Sequence, residues 1–179
     1  MNKITTRKKI YLIVDLISMI LLVALDQFTK FLAVEKLQGK ESFVIIKGIL
    51  ELTFLKNHGA AFGILQNQKI FFVMIAVMII LVIGYVLFQL PLEKKYTILQ
   101  IILVMIASGA AGNMIDRIRN EYVVDFISFV IINFPIFNVA DIYVTVSTIL
   151  FIILFLFYYK EKDFDFLSFK QQKKYRELK

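Results

Sequence analysis

Two aspartates, Asp125 and Asp141, stand in apolar surroundings with no basic neighbour in sequence to neutralise them. Asp125 lies in VVDFISFVIINFPIFN, and Asp141 ends FNVAD, where a long apolar run begins. An unpaired carboxylate at the edge of such a run calls for a chemical reason. Two acids brought together there share one proton, because like charges about 3 Å apart cannot both ionise. Such a pair holds a base and an acid at once, the arrangement with which aspartic proteases turn water on a peptide bond. Which member holds the proton is a property of the coupled pair and is left open by the residues alone.

Other chemistries are poorly supplied. The chain has no cysteine, which removes thiolate catalysis, disulfides and Cys-ligated metals, and its one histidine, His58, excludes a multi-histidine zinc site. The remaining polar residues collect in blocks: DQFTK with Asp26 and Lys30, NHGAAFG with Asn57 and Gly59, GAAGNMIDR with Asn113, Asp116 and Arg117, and FNVAD with Asn138. Helical spacing sets Asn113 beside Asp116 and Arg117, Asn138 beside Asp141, and Asp26 beside Lys30. Asp26 with Lys30, and Asp116 with Arg117, are expected to be ion pairs that anchor helix ends and support the site. Asn57 and Gly59 serve as turn formers facing the same cluster, and His58 as an interfacial loop residue. Asp15 is expected to snorkel toward Lys8 or Lys9.

The elements that position these residues are membrane spans. Of 179 residues, 59% are hydrophobic and 20% charged, and the apolar ones fall in runs that a water-soluble globule of this size cannot hide. A span needs about 20 apolar residues; Ile70–Leu90, Tyr96–Ile115 and Phe137–Tyr159 meet this, and Ile10–Phe28 does so despite Asp15. The first is read as a retained span, since it runs into DQFTK without a small-residue cleavage site. Basic residues before span one, in the turn after span two and beyond Tyr159 predict cytoplasmic termini. The net charge of +7 lies beside the spans, which suits a membrane surface rather than nucleic acid. All four polar blocks then fall at the extracytoplasmic side. Gly109, Ala110, Ala111 and Gly112 let span three approach a neighbour closely. Phe43–Leu55, broken at Lys47-Gly48, predicts a hairpin in an outer cradle over about 40–57, while Asp125 is expected in an apolar loop dipping toward the bilayer. The expected organisation is one all-α, four-helix membrane domain over 1–159, N-in and C-in. A basic tail over 160–179 lies on anionic lipid or extends as a solvated end.

Taken together, DQFTK (26–30), NHGAAFG (57–63), GAAGNMIDR (109–117), VVDF (123–126) and FNVAD (137–141) resemble the bacterial lipoprotein signal peptidases, the signal peptidase II family, in order and topology. The resemblance implies four transmembrane helices with a small outer β-cradle and a short outer helix. It implies Asp125 and Asp141 as the catalytic dyad, with Asp26, Asn57, Asn113, Asp116, Arg117 and Asn138 supporting or lining the site. It further implies a prolipoprotein substrate whose cysteine carries a diacylglyceryl thioether, cut just before that cysteine, with no metal or organic cofactor. Membrane phospholipids are the surroundings, and a monomer suffices. Asp15 and the length of the basic tail lie outside the family pattern.

Three other readings are weaker. Presenilin-like and prepilin-peptidase-like enzymes carry GxGD within a span, and this chain has none. A transporter would set its acids at the bilayer midplane near broken helices, and a structural scaffold gives no reason for Asp125 and Asp141.

Overall fold

The computed structural model describes residues 6–59, 65–132 and 134–168; residues 60–63 of the NHGAAFG block and the tail from 169 lie outside them. Four helices are long and apolar enough to cross a membrane: α1 (Thr6–Leu37), α2 (Lys69–Gln89), α3 (Thr97–Asn120) and α4 (Val139–Phe157). At about 1.5 Å per residue, α2 and α4 each reach roughly 30 Å, the thickness of the hydrocarbon core. Two helices run further than their apolar stretches suggest. α1 continues past Phe28 because Ala33 and Leu37 bury against Val124 and Phe126, and α3 continues past Ile115 to Asn120.

α3 is the central helix: half of its apolar window (50%) is buried, against 17% for α2 and α4 and 6% for α1. The outward sides of the others carry large exposed apolar residues such as Ile13, Leu21, Leu81 and Ile152, a surface suited to lipid. Glycines make the central seam. A Cβ on Gly109 would stand 2.5 Å from the Ala140 carbonyl oxygen and 2.7 Å from Val144 Cγ2, and one on Gly112 would collide with the Asp26 carboxylate. α3 therefore meets α4 and the C-terminal part of α1 almost backbone to backbone.

At one end of the bundle lies an antiparallel sheet of β1 (Phe43–Ile46), β2 (Leu50–Asn57) and β3 (Val123–Phe129), in that order. Gly48, at φ +72°, makes the β1–β2 turn. The third strand corrects the expectation for Asp125, which is not in a dipping loop but on β3, opposite Leu55 of β2. A loop in that apolar setting would leave backbone N–H and C=O groups unpaired, whereas VVDFISF pairs along β2. Glu121, at φ 70°, turns the chain out of α3 at once, so β3 folds back over the helix that carries Asn113. A 3-10 turn, Val130–Ile132, follows β3.

At the opposite end, the described part of the 160–179 segment is a 3-10 segment, Glu161–Leu167, held against the start of α3. Asp163 pairs with Lys95 at 2.5 Å, Tyr96 Oη donates to the Asp163 carbonyl at 2.9 Å, and Tyr159 Oη donates to the Lys95 carbonyl at 2.9 Å. Asp15 lies within electrostatic reach of Lys8, as expected, and also accepts from Gln100 Nε2 at 2.7 Å. Lys8 itself donates to the Leu87 and Leu90 carbonyls at the C-terminus of α2, where a cation is favoured by the helix dipole.

Candidate active site

Asn138 is the N-cap of α4, and it positions Asp141 by a reciprocal bond. Its Oδ1 accepts the Asp141 N–H at 3.0 Å, while Asp141 Oδ2 accepts the Asn138 N–H at 3.0 Å, a capping box. The other Asp141 oxygen, Oδ1, accepts from Asn113 Nδ2 at 2.8 Å. Asp125 is held from two sides as well, with Oδ2 accepting from Asn57 Nδ2 at 2.7 Å and Oδ1 from Asn138 Nδ2 at 2.6 Å. Every oxygen of both carboxylates thus receives an N–H. Among the described residues neither aspartate makes an ion pair.

The direction of each carboxamide follows from what holds its oxygen. Asn57 Oδ1 accepts the Gly59 N–H at 2.9 Å, and Asn113 Oδ1 accepts from Lys30 Nζ at 2.8 Å and Asn138 Nδ2 at 3.1 Å. Turning any of these amides over would set oxygen against carboxylate oxygen and NH2 against a donor. Asn57, Asn113 and Asn138 are therefore fixed as donors toward the acids.

Two further carboxylates grip the backbone beside the pair. Asp26 Oδ1 accepts the Ala140 N–H at 3.0 Å, one residue before Asp141. Asp116 Oδ2 accepts the Val124 N–H at 3.1 Å, one residue before Asp125. Lys30 lies between them, 3.0 Å from Asp26 Oδ2 and 3.1 Å from Asp116 Oδ2, and the expected Asp26–Lys30 pair is present. The expected Asp116–Arg117 pair is not formed: Asp116 goes to Lys30, because successive helical residues face different ways. Arg117 donates to the Gly59 carbonyl at 3.0 Å and the Asn113 carbonyl at 3.3 Å, and its guanidinium lies 4.5 Å from the Phe72 ring centroid. It ties the loop after β2 to α2 and α3. His58 packs against Tyr122, ring centroids 5.5 Å apart, away from the acids.

Asp125 is 1% exposed. Burial pushes its carboxyl up to about 6, with the nearby charge of Asp141 adding to the effect and the amides of Asn57 and Asn138 opposing it. Both acids border a cavity of about 440 Å³, whose far wall is Phe134–Phe137 and the α4 residues Ile142, Thr145 and Val146. The arrangement suits hydrolysis, since it pairs a carboxyl pushed up to about 6 with a second one whose oxygens are fixed.

The structure thus brings together Asp26, Lys30, Asn57, Gly59, Asn113, Asp116, Arg117, Asp125, Asn138 and Asp141. Gln27 belongs with them and was missed. Its Nε2 donates to Asp116 Oδ1 at 2.9 Å and to Asp26 Oδ2 and the Gly112 carbonyl at 3.2 Å each. An amide next to a buried acid within DQFTK was the available signal. The aromatic wall of the cavity carries no such signal, because nothing in an apolar run distinguishes a pocket wall from a lipid-facing side.

Comparison with known proteins addresses the family and the fold. The family model described as signal peptidase (SPase) II matches residues 18–157. Lipoprotein signal peptidases of Streptococcus pyogenes serotype M5 (strain Manfredo) and serotype M3 (strain SSI-1) are 48% and 47% identical over 149 residues, covering 83% of this chain and 94% of each relative. Two solved bacterial membrane enzyme structures, both determined by the in meso method, superpose with TM-scores of 0.71 and 0.70. Their identities are 34% and 33%, over 80% and 82% of this chain and 87% and 94% of theirs.

Proposed function

The chain belongs to the signal peptidase II family, and from that premise we propose that it is an aspartyl endopeptidase acting on diacylglyceryl-modified prolipoproteins. It removes the signal peptide by cutting just before the lipidated cysteine. One observation carries the aspartyl reading: two buried acids from different elements meet at one apolar cavity, with an N–H on every oxygen and a cation on none. A purely structural carboxylate at that depth would be paired. The pair instead shares a proton. The ionised member takes a proton from water as that water attacks the scissile carbonyl carbon, and the protonated member donates to the carbonyl oxygen. The resulting tetrahedral species collapses with proton transfer to the leaving amine, and no acyl-enzyme forms. No metal or organic cofactor takes part, and a monomer is sufficient.

The protein sits in the bacterial cytoplasmic membrane with both termini inside, so that the sheet and the two acids face the extracytoplasmic side. The charge distribution supports this orientation, because Lys8, Lys9, Lys94, Lys95, Lys160 and Lys162 gather at the end opposite the sheet. Absence of native cysteine makes the test simple. Single cysteines replacing the exposed Lys40 and Asn120 are expected to react with an impermeant thiol reagent on intact spheroplasts, and cysteines replacing Lys94 and Lys162 only after lysis. The opposite pattern would put the site in the cytoplasm and end the prolipoprotein reading.

A shared proton also fixes the pH response. With the Asp125 carboxyl raised to about 6, the free enzyme loses the shared proton as pH climbs through and above that value. The kcat/KM is expected to decline on the alkaline side, and kcat to decline at higher pH, since bound substrate excludes water and favours the protonated form. The measurement is gel-shift cleavage of a diacylglyceryl-modified prolipoprotein by purified protein in detergent, from pH 5 to 9. A flat profile over that range would count against a catalytic carboxyl pair.

A further inference from the structure

The two dyad aspartates arrive from opposite directions, Asp125 on β3 and Asp141 on α4, and no hydrogen bond joins them directly among the described residues. Asn138 bridges them from one side, through its capping box with Asp141 and its Nδ2 bond to Asp125, and Phe137 pairs with Ile127 of β3, but a second set of ties acts from behind. The backbone N–H just before each is gripped by a different carboxylate, Ala140 by Asp26 and Val124 by Asp116. Both of those carboxylates converge on one ammonium, Lys30, which is 3% exposed. Its third proton goes to Asn113 Oδ1, the bond that turns the Asn113 NH2 toward Asp141. An ammonium has three donors, and Lys30 spends them on Asp26, Asp116 and Asn113.

Resting on the reading of Asp125 and Asp141 as the dyad, we infer that Lys30 is a positioning residue for it, acting from behind the pair where Asn138 acts between them. One buried ammonium holds the two backbone segments that carry the acids at a fixed separation and orients the Asn113 amide toward Asp141. The role differs from that of a plain helix-end ion pair. An Asp26–Lys30 pair at successive turns of α1 would need neither Asp116 nor Asn113, whereas the observed contacts run from α1 to α3 and through these to β3 and α4.

The charged groups around the dyad define what removing Lys30 does. α1 supplies Asp26 and Lys30, α3 supplies Asp116 and Arg117, β3 and α4 supply the dyad acids, and β2 supplies the neutral amide of Asn57. Taking away Lys30 leaves Arg117 as the cation of this cluster. The Asn113 oxygen then keeps only the longer bond from Asn138 Nδ2, so the amide is held less firmly, and the negative field at the dyad grows. The pair takes up its second, inactivating proton more readily, so the acid limb of the activity profile moves to higher pH.

The test compares the parent with Lys30→Gln and with the double variant Lys30→Gln/Asp116→Asn, which removes one charge of each sign and so keeps the cluster's net charge. Each is purified in detergent, its Tm is recorded, and kcat and KM on a diacylglyceryl-modified prolipoprotein are measured from pH 4 to 9. The expected result is a kcat lower by about 10- to 100-fold with KM changed less than about threefold. The acid limb in Lys30→Gln is displaced upward by roughly one pH unit, and less so in the double variant. Folded variants with the parent's kcat, or with the loss confined to KM and an unmoved acid limb, would overturn the inference. So would failure of both variants to fold, which would reduce Lys30 to a folding residue. If the parent itself cleaves no diacylglyceryl-modified substrate, the functional reading fails first and this role falls with it.

Discussion

Asp125→Asn and Asp141→Asn proteins are expected to fold like the parent and to lose at least about 10³-fold in kcat/KM, because each acid is half of the acid–base pair proposed at the cavity. The substitution is nearly isosteric, so the cavity and the support contacts persist. Stability can be argued for Asp125. Its carboxyl titrates at about 6 in the folded protein against 3.8 for an unburied one, so the folded state binds more protons between those values. Stability therefore falls as pH rises from 3.8 to about 6, and the cost is fully present above that. An amide carries no such cost, which offsets the NH2 group that it sets against the donors Asn57 or Asn138. Thermal unfolding of both variants at pH 7 is expected within about 5 °C of the parent. More than a few per cent of parental turnover by either would remove that aspartate from the chemistry.

The second large effect concerns the substrate's lipid. On the proposed reading, the cavity between α3, α4 and the sheet receives a peptide whose signal helix and acyl chains both remain in the membrane. Burying a methylene from water is worth about 0.8 kcal/mol, but these chains come from lipid, so contact with protein recovers only a fraction of that. The larger gain is orientation, since anchoring the residue after the scissile bond removes freedom that the peptide would otherwise lose on approach to the acids. Cleavage of a prolipoprotein with an unmodified cysteine is expected to be at least about 100-fold slower in kcat/KM than cleavage of its diacylglyceryl form. Matched substrates in one detergent give the comparison, and equal rates would indicate a general signal peptidase.

Several of these features were legible in the residues and several were not, for identifiable reasons. α2 and α4 were readable to within a few residues, because their apolar runs have no other use. The hairpin was readable from the β-branched residues flanking Gly48. Strand β3 was not, since VVDFISF reads equally as a buried strand or an apolar loop until β2 is known to lie beside it. The Asp26–Lys30 pair followed from helical spacing, but the partner of Asp116 did not. That partner, Lys30, is on another helix, and adjacency in sequence pointed wrongly to Arg117. For Asp15 the lysine side was visible, and Lys8 does lie within electrostatic reach of it, but the hydrogen bond from Gln100 on α3 was not.

The bond from Asp26 to the Ala140 amide joins residues 114 apart, the first helix to the last. That span bears on biosynthesis. During translation the first three helices can enter the bilayer and pack, yet Asn138, Ala140 and Asp141 have not been made. Without them Asp125 lacks its partner and one of its two amide donors. On the proposed dyad, hydrolytic competence waits for the fourth helix to thread into place, and a chain halted before that helix holds one acid without the other.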